Sequence, residues 1–250
     1  MYDKEQIAIA WKKQLAIDFS CTMEDFEKKE NVITVARNNP GRRVYTPQKE
    51  FLSMVTLGTN TVISADKRIH EWLRQWIAKK NGIWLFEHNY LMELEIELQK
   101  YGKKLGQSHH MFLPKEEIKE PIIDFEVKWF EQEEIMGMYG QKAFSNALCE
   151  KYLPQRPDLL AVGAIYKENI IGLAGCSADT PLFWQIGIDV LPDYRSMGIG
   201  TKLVQLLKNE VFRRKAIPFY GTSLSNLHSW NIALHCGFYP AWVEIETVET

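Results

Sequence analysis

The sequence predicts a mixed α/β fold in which a central mixed sheet is flanked by helices. Segments with apolar residues at helical spacing alternate along the chain with short apolar segments at strand spacing. A charged stretch with proline at both ends, residues 114–121, separates two regions that each contain both patterns. We therefore predict a smaller amino-terminal α/β domain at residues 1–118 and a second domain at residues 119–250.

The composition is that of a chain with balanced charge. Its 250 residues include 30 Lys and Arg against 32 Asp and Glu, which provides no field to attract nucleic acid or an anionic membrane. The four cysteines are scattered without a Cys-x-x-Cys pair, as is typical of reduced thiols. No run approaches the ~20 apolar residues of a membrane span. We expect a cytoplasmic protein that holds no metal and binds neither nucleic acid nor membrane.

The first domain begins with a helix and a hairpin. Ile7, Trp11 and Leu15 recur every four residues, as in an amphipathic helix. Residues 51–64 predict two short strands around a tight turn. A helix follows Asp66, whose carboxylate is a good cap, and a further helix and strand come after it. This order partly repeats later in the chain, so a diverged internal duplication is one interpretation.

The second domain shows a longer alternation of strands and helices. The strands expected from apolar or alternating runs span residues 122–130, 159–166, 170–176, 183–191 and 217–223, with a last one from Phe238. The helices expected from apolar stripes lie within residues 135–152, 199–211 and 226–236. A central sheet with helices on its faces follows from this order.

Two glycines lie in the turn between the strand at 183–191 and the next helix. Gly198 and Gly200 let main-chain N–H groups approach a ligand closely, and the start of the helix adds free N–H groups and the positive end of its dipole. Arg195 adds a planar charge suited to phosphate oxygens. We predict a diphosphate site, with an ordinary strand-to-helix turn as the alternative. The Walker and dinucleotide-binding patterns do not fit these residues.

The segment from Val190 to Gly200 resembles the coenzyme A signature of the GNAT acetyltransferase superfamily. A second block supports the resemblance, because it has the Asn-x-x-Ser-x-x-x-Ala-x-x-x-Gly-Phe spacing found in many members. This block consists of Asn226, Ser229, Ala233, Gly237 and Phe238. The resemblance covers about residues 122–250 and implies the GNAT fold there. A degenerate GNAT-like half is the corresponding alternative for the first domain.

The resemblance also implies where acetyl-CoA, the expected co-substrate, binds. The strand before the turn is expected to splay from its neighbour, so that the pantetheine arm meets main-chain groups of Ile188 and Val190. Asn226 and Ser229 are expected to contact the coenzyme from the next helix, although an ordinary N-cap at Asn226 explains them equally well. The diphosphate is expected beside Arg195, Ser196, Met197, Gly198, Ile199, Gly200 and Thr201.

Acetyl transfer to an amine also needs a base. Asp189 is the candidate, because strand alternation places it on one face with Gln185 and Gly187, where a substrate cleft is expected. The alternative is a structural role, since an Asp near a turn often accepts hydrogen bonds from main-chain N–H groups. The sequence leaves both open.

The position of the usual general acid differs from the common pattern of the family. In many GNAT enzymes a tyrosine four residues before the Gly-Phe pair protonates the leaving thiolate, and Ala233 holds that place here. His228, Tyr220 and His235 are the candidates for the general acid, and His228 is the predicted one. The alternatives are a purely structural histidine and protonation of the leaving thiolate by solvent.

The predicted function is N-acetyl transfer from acetyl-CoA to a primary amine of a small molecule or peptide, by direct attack in a ternary complex. A non-catalytic coenzyme A sensor or interaction module is the alternative, because the usual tyrosine is missing. The near-neutral net charge does not identify the acceptor. A homodimer is an open alternative for the assembly.

Overall fold

The computed structural model describes residues 2–45, 50–115 and 120–250. The chain divides into two compact units, one of Met1–Ile7 with Phe112–Pro240 (the 112–240 unit) and one of Ala8–Met111 with Ala241–Thr250 (the 8–111 unit). The boundary predicted between residues 118 and 119 falls on residues 116–119, outside the described residues, and stays a prediction. The predicted mixed α/β fold with helices beside a mixed sheet is confirmed.

The elements of the 112–240 unit follow the predicted order. They are β6 (Glu126–Glu131), α4 (Gln132–Met136), β7 (Asp158–Tyr166), β8 (Asn169–Ala178), β9 (Phe183–Val190), α5 (Ile199–Arg213), β10 (Ile217–Ser223) and α6 (Leu227–His235). Three elements have residues in both units: α1 (Lys4–Asp18), β5 (His109–Pro114) and β11 (Phe238–Glu249). Strands β10-β9-β8-β7-β6 are neighbours in this order, with β10 parallel to β9 and the other pairs antiparallel.

The hairpin of β7 and β8 shows how local sequence sets this sheet. Lys167 and Glu168 both have positive φ, 48° and 65°, which is the backbone of a type I′ two-residue turn. Asn169 begins β8 and pairs with Tyr166 across the turn. The twist of such a turn matches the twist of the paired strands, so the predicted hairpin is confirmed.

Two apolar layers cover the sheet of the 112–240 unit. Helix α5 buries Leu203, Val204 and Leu207 against one layer, which includes Val162 and Ile186 of the sheet. The second layer is built from β6 to β8 and the segment after α4. Its buried members are Phe130, Ile135, Met138, Phe144, Ala147, Leu148, Ala161 and Leu173.

The helices predicted within residues 135–152 are mostly absent, which corrects the sequence interpretation. Helix α4 ends at Met136, and only one turn of 3₁₀ helix follows, at Lys142–Phe144. Gly137 is the C-cap of α4, and Gly140 has a φ of +80°, a conformation that ends helices. The apolar spacing reflects burial of an irregular segment against the second layer.

The 8–111 unit contains parallel and antiparallel strand pairs with their own helices. Its elements are β1 (Val32–Val35), β2 (Leu52–Thr56), β3 (Thr61–Ala65), α2 (His70–Ile77), α3 (His88–Gln99) and β4 (Lys103–Leu105). Strands β1-β3-β2-β11 are neighbours, and β4 also pairs with β11. The predicted hairpin turns at Gly58, whose φ is +95°. Strands β1 and β4 were not predicted, because they are too short to show alternation.

A buried charge cluster lies in the 8–111 unit. The Arg43 side chain, 4% exposed, donates from Nε to Asp18 Oδ2 at 2.6 Å and from a terminal nitrogen to Glu244 Oε2 at 2.8 Å. The ring of Trp11 lies 5.0 Å from its guanidinium carbon. Burial raises the pKa of Glu244, but Arg43 outweighs burial and the net pKa is lowered. Each charge in the cluster therefore depends on its partner.

Candidate functional site

The strands β9 and β10 pair at one end, and their described register stops before the other end of β9. Their parallel register runs from Phe183↔Ile217 to Ile186↔Tyr220, whereas β8 pairs with β9 as far as Val190. In the described register, residues 187–190 therefore have a strand neighbour on one side, and the other side faces a gap toward residues 221–223 of β10. Main-chain groups at such an edge can pair with an extended ligand. We call this space the β9–β10 gap.

The start of α5 lies directly after this edge. Ser196 and Gly198 both have positive φ, 62° and 76°, and Gly198 is the N-cap of the helix. The N–H of Lys202 donates to Gly198 O at 3.1 Å, so the N–H groups of Ile199, Gly200 and Thr201 precede this helical bond. Residues 195–198 are exposed. Ile199 and Gly200, the first two residues of the helix, are buried. Amides at a helix start, with the positive end of the dipole, can bind an anion.

The two glycines of this turn serve different purposes. A Cβ on Gly198 would meet nothing within 4 Å, so this glycine is required by its positive φ and leaves open space in front of the turn. A Cβ on Gly200 would lie 3.3 Å from Ile232 Cδ1, 3.5 Å from Val190 Cγ2 and 3.6 Å from Ile188 Cγ1. Gly200 therefore lets the first turn of α5 lie close to β9 and α6.

Arg195 is held by the strand that ends before it. Its Nε donates to the main-chain oxygen of Val190 at 2.9 Å. The guanidinium thus lies at the end of the β9 edge, and the Val190 oxygen already accepts a hydrogen bond. Arg195 ties the turn to the strand, in addition to the phosphate role expected from the sequence.

The start of α6 carries a polar pair beside the gap. Asn226 Oδ1 accepts a hydrogen bond from the Ser229 N–H at 3.1 Å, which is the N-cap that the sequence left as an alternative. Ser229 Oγ lies 2.6 Å from the hydroxyl of Tyr220. Tyr220 is 1% exposed and stands opposite Ile186, the last paired position before the gap. Burial raises the pKa of Tyr220 to about 12, so the phenol stays protonated at neutral pH.

The other acid candidates lie apart from this pair. His228 is exposed on α6, and among the described residues none hydrogen-bonds its ring. His235 Nδ1 is 2.7 Å from Asn231 O of the same helix. Ala233 is fully buried in the core of the unit. Of the three candidates, Tyr220 is the one that contacts a residue expected at the coenzyme.

Asp189 accepts hydrogen bonds from the segment after α4. Its Oδ2 accepts from the N–H of Asn146 at 2.7 Å and of Ala147 at 3.0 Å, and its Oδ1 accepts from Asn146 Nδ2 at 2.6 Å. This is the structural alternative that the sequence left open. The role of Asp189 as base stays a prediction.

The sequence interpretation missed the residues that Asp189 holds. A Cβ on Gly187 would lie 1.9 Å from Asn146 O, and a Cβ on its strand partner Gly175 would lie 2.3 Å from Ala147 O. A glycine inside a strand often marks the close approach of another main chain. Two glycines in facing positions of predicted neighbouring strands were therefore the available signal.

A second polar cluster lies on the same face of the sheet. Arg156 donates to Asp179 Oδ1 and to Gln185 Oε1, both at 2.8 Å. Asp158 accepts from the N–H of Cys149 at 3.0 Å, and burial raises its pKa. Gln185 therefore serves a structural pair. Among the described residues, no group of three or more His, Cys, Asp or Glu side chains could hold a metal ion.

The β9–β10 gap and the start of α5 lie in a part of the chain that is similar to a known family. Residues 120–238 match the model of the Acetyltransferase (GNAT) family. The matched segment contains strands β6 to β10, helices α4 to α6 and all candidate site residues from 188 to 229. The match supports acyl transfer as the class of reaction. No curated protein matches the chain.

Several solved structures are similar at low identity. A putative GNAT-family acetyltransferase from Novosphingobium aromaticivorans is 13% identical, with 60% of this chain and 68% of that chain covered and a TM-score of 0.44. A GNAT-family acetyltransferase from Colwellia psychrerythraea is 17% identical, with 64% and 62% covered and a TM-score of 0.42. This chain thus spans less than two thirds of the Colwellia protein. A GCN5-related N-acetyltransferase-like protein from Streptococcus suis is 15% identical, with 79% and 83% covered and a TM-score of 0.48.

Within the described ranges, no helix is long and apolar enough to cross a bilayer.

Proposed function

We propose that this protein transfers an acetyl group from acetyl-CoA to a primary amine of a small molecule or peptide, by direct attack in a ternary complex. The observation that carries the proposal is the β9–β10 gap next to the free amides of α5. An acyl-CoA needs both features, because its pantetheine arm can pair with a strand edge while its diphosphate needs an anion site. The GNAT match of residues 120–238 supports the same reaction class.

The residues present fit the coenzyme in a defined order. The edge groups of Ile188 and Val190 hold the arm, and the amides of residues 197–201 hold the diphosphate beside Arg195 and Ser196. Two features support this order: Gly200 places the helix start within side-chain contact of both edge residues, and residues 195–198 are exposed. Asn226 and Ser229 complete the site from α6, at the hydroxyl of Tyr220.

The chemistry requires a polarised thioester carbonyl, removal of a proton from the amine and a proton for the leaving sulfur. A main-chain N–H at residues 188–190 is available for the carbonyl, because β10 does not pair with this part of β9 in the described register. The amine nitrogen forms the new C–N bond as the C–S bond breaks, and the proton that the amine loses passes to solvent water. The protonated phenol of Tyr220 is our candidate donor to the sulfur, ahead of His228.

The test measures binding and turnover separately. Calorimetry with coenzyme A should show association, and free thiol should be released from acetyl-CoA on addition of spermidine, tyramine, L-lysine or kanamycin. Product mass should rise by one acetyl group. Association without release for every amine would favour the coenzyme A sensor, and absence of association would refute both readings.

A further inference from the structure

The segment of residues 144–149, here called the crossing segment, passes over β8 and β9 at two facing glycines. A Cβ on Gly187 would collide with Asn146 O at 1.9 Å, and one on Gly175 would collide with Ala147 O at 2.3 Å. These two glycines are register partners in the sheet. The main chain of the crossing segment therefore lies in contact with the strands, at a place that only glycine permits.

Two carboxylates fix the crossing segment in this place. Asp189 accepts the three hydrogen bonds from Asn146 and Ala147, at 2.6 to 3.0 Å. Asp158 accepts the N–H of Cys149 at 3.0 Å. Phe144 and Leu148 are buried in the apolar layer below. Residues 145–149 belong to no helix or strand, and within the segment the Leu148 N–H donates to Phe144 O at 3.1 Å, which closes a single turn.

The position of the crossing segment bears on the reaction. It covers Gly187, the residue before the edge position Ile188, on the face of β9 that carries Asp189. The opposite face of the strand holds Ile188 and Val190, which pack toward α5 and α6. An acceptor that approaches the edge from the Asp189 side therefore meets the crossing segment, whose residues Ser145 and Asn146 are exposed.

We propose that Asp189 is a positioning residue for the acceptor amine, which it places by holding the crossing segment beside the β9–β10 gap. A carboxylate has about four lone-pair directions, and three at Asp189 receive N–H groups of the protein. In this proposal the carboxylate holds the crossing segment instead of acting as the base. This inference rests on the proposed function, because it names a part of the same site.

Two variants release the crossing segment by different routes. Asp189→Asn exchanges one acceptor oxygen for an amide donor that faces N–H groups. Gly187→Ala leaves Asp189 intact and displaces Asn146, because the new carbon collides with its oxygen. Gly137→Ala is the matched control, since its Cβ would make only an ordinary contact of 3.5 Å with Glu134 O.

Amide hydrogen exchange tests, without any amine, whether Asp189 holds the crossing segment. In Asp189→Asn and Gly187→Ala, the amides of Asn146 and Ala147 should exchange faster than in the wild type, and Gly137→Ala should match the wild type. Calorimetry should give a Kd for coenzyme A within about twofold of wild type in all three, because the diphosphate site is untouched. Unchanged exchange in both variants overturns the proposal.

Steady-state kinetics then distinguish a positioning role of Asp189 from a role as base. The acceptor is the amine that gives the fastest thiol release from acetyl-CoA with the wild type. Both variants should raise KM for the amine and lower kcat/KM on the order of 10- to 100-fold, with the apparent pKa of the acid limb of the pH profile unchanged. Loss of that limb, with kcat reduced by about 10²–10⁴ in Asp189→Asn alone, would make Asp189 the base. No thiol release by the wild type would refute the proposed function and the role of Asp189 toward the acceptor. Amide hydrogen exchange would still decide whether Asp189 holds the crossing segment.

Discussion

The anion site that we propose at the start of α5 can be tested by adding one methyl group to a glycine. Gly198 has a φ of +76° and open space around its Cβ position, and Gly140 has a φ of +80° with the same open space in the same unit. Gly198→Ala and Gly140→Ala therefore impose similar strain, about 1–2 kcal/mol for an L-residue in the left-handed region. Neither introduces a clash, so the two variants form a matched pair.

The strain has different consequences at the two places. At Gly140 it appears only as lost stability. At Gly198 the turn can also relax, which moves the free amides of α5 from their common direction, and the methyl group enters the open space in front of them. If binding must restore the wild-type turn, a strain of about 1–2 kcal/mol corresponds to roughly 5- to 30-fold weaker binding of coenzyme A.

Urea unfolding and calorimetry measure these two effects. We expect both variants to lose up to about 2 kcal/mol of stability, and only Gly198→Ala to bind coenzyme A at least about fivefold more weakly. Equal affinity in the two variants would refute the reasoning, whether both bound as the wild type does or both were weakened. In that case the glycine turn would be an ordinary strand-to-helix connection.

Three further outcomes follow from the structure. Tyr220→Phe removes the hydroxyl next to Ser229, and thiol release should slow by about 10²-fold or more with little change in coenzyme A affinity; unchanged turnover would exclude Tyr220 as acid. Arg43→Met leaves the buried Glu244 carboxylate without its charge partner, and urea unfolding should show a loss of about 3–5 kcal/mol in the free energy of unfolding. Because the pKa of Glu244 is lowered in the wild type, this loss should be full above pH 4.5 and should shrink as the pH falls through the lowered pKa. Asp158→Asn should gain stability relative to wild type as the pH rises above 3.8, because the raised Asp158 pKa makes its charged form costly; a difference independent of pH would contradict this.

The parts of the site that the sequence predicted are those set by local patterns. Gly198 needs a positive φ whatever surrounds it, and the apolar stripe of α5 follows a helical period, so the turn and the helix could both be placed. The end of the β9–β10 pairing lies where the resemblance implied. The cap at Asn226 was likewise weighed from residue type and spacing.

The residues after α4 show why the remainder could not be predicted. Their apolar spacing indicated helices, but their path is fixed by Asp158, 9 residues beyond Cys149, and by Asp189, 42 residues beyond Ala147. Such hydrogen bonds leave no periodic signal in the segment itself. The role of Asp189 depends on the same long-range contacts. From the sequence, a carboxylate on a strand is equally suited to remove a proton as a base and to accept hydrogen bonds from N–H groups.

The pairing of β11 within the 8–111 unit has a consequence for synthesis of the protein. Residues 243–246 of β11 form the ladder beside residues 53–56 of β2, and residues 247–249 pair with β4. During translation, β2 therefore keeps one open edge until almost two hundred further residues have left the ribosome. Open strand edges are templates for wrong pairing and aggregation, so this edge of β2 lacks its protecting neighbour for most of the synthesis of the chain.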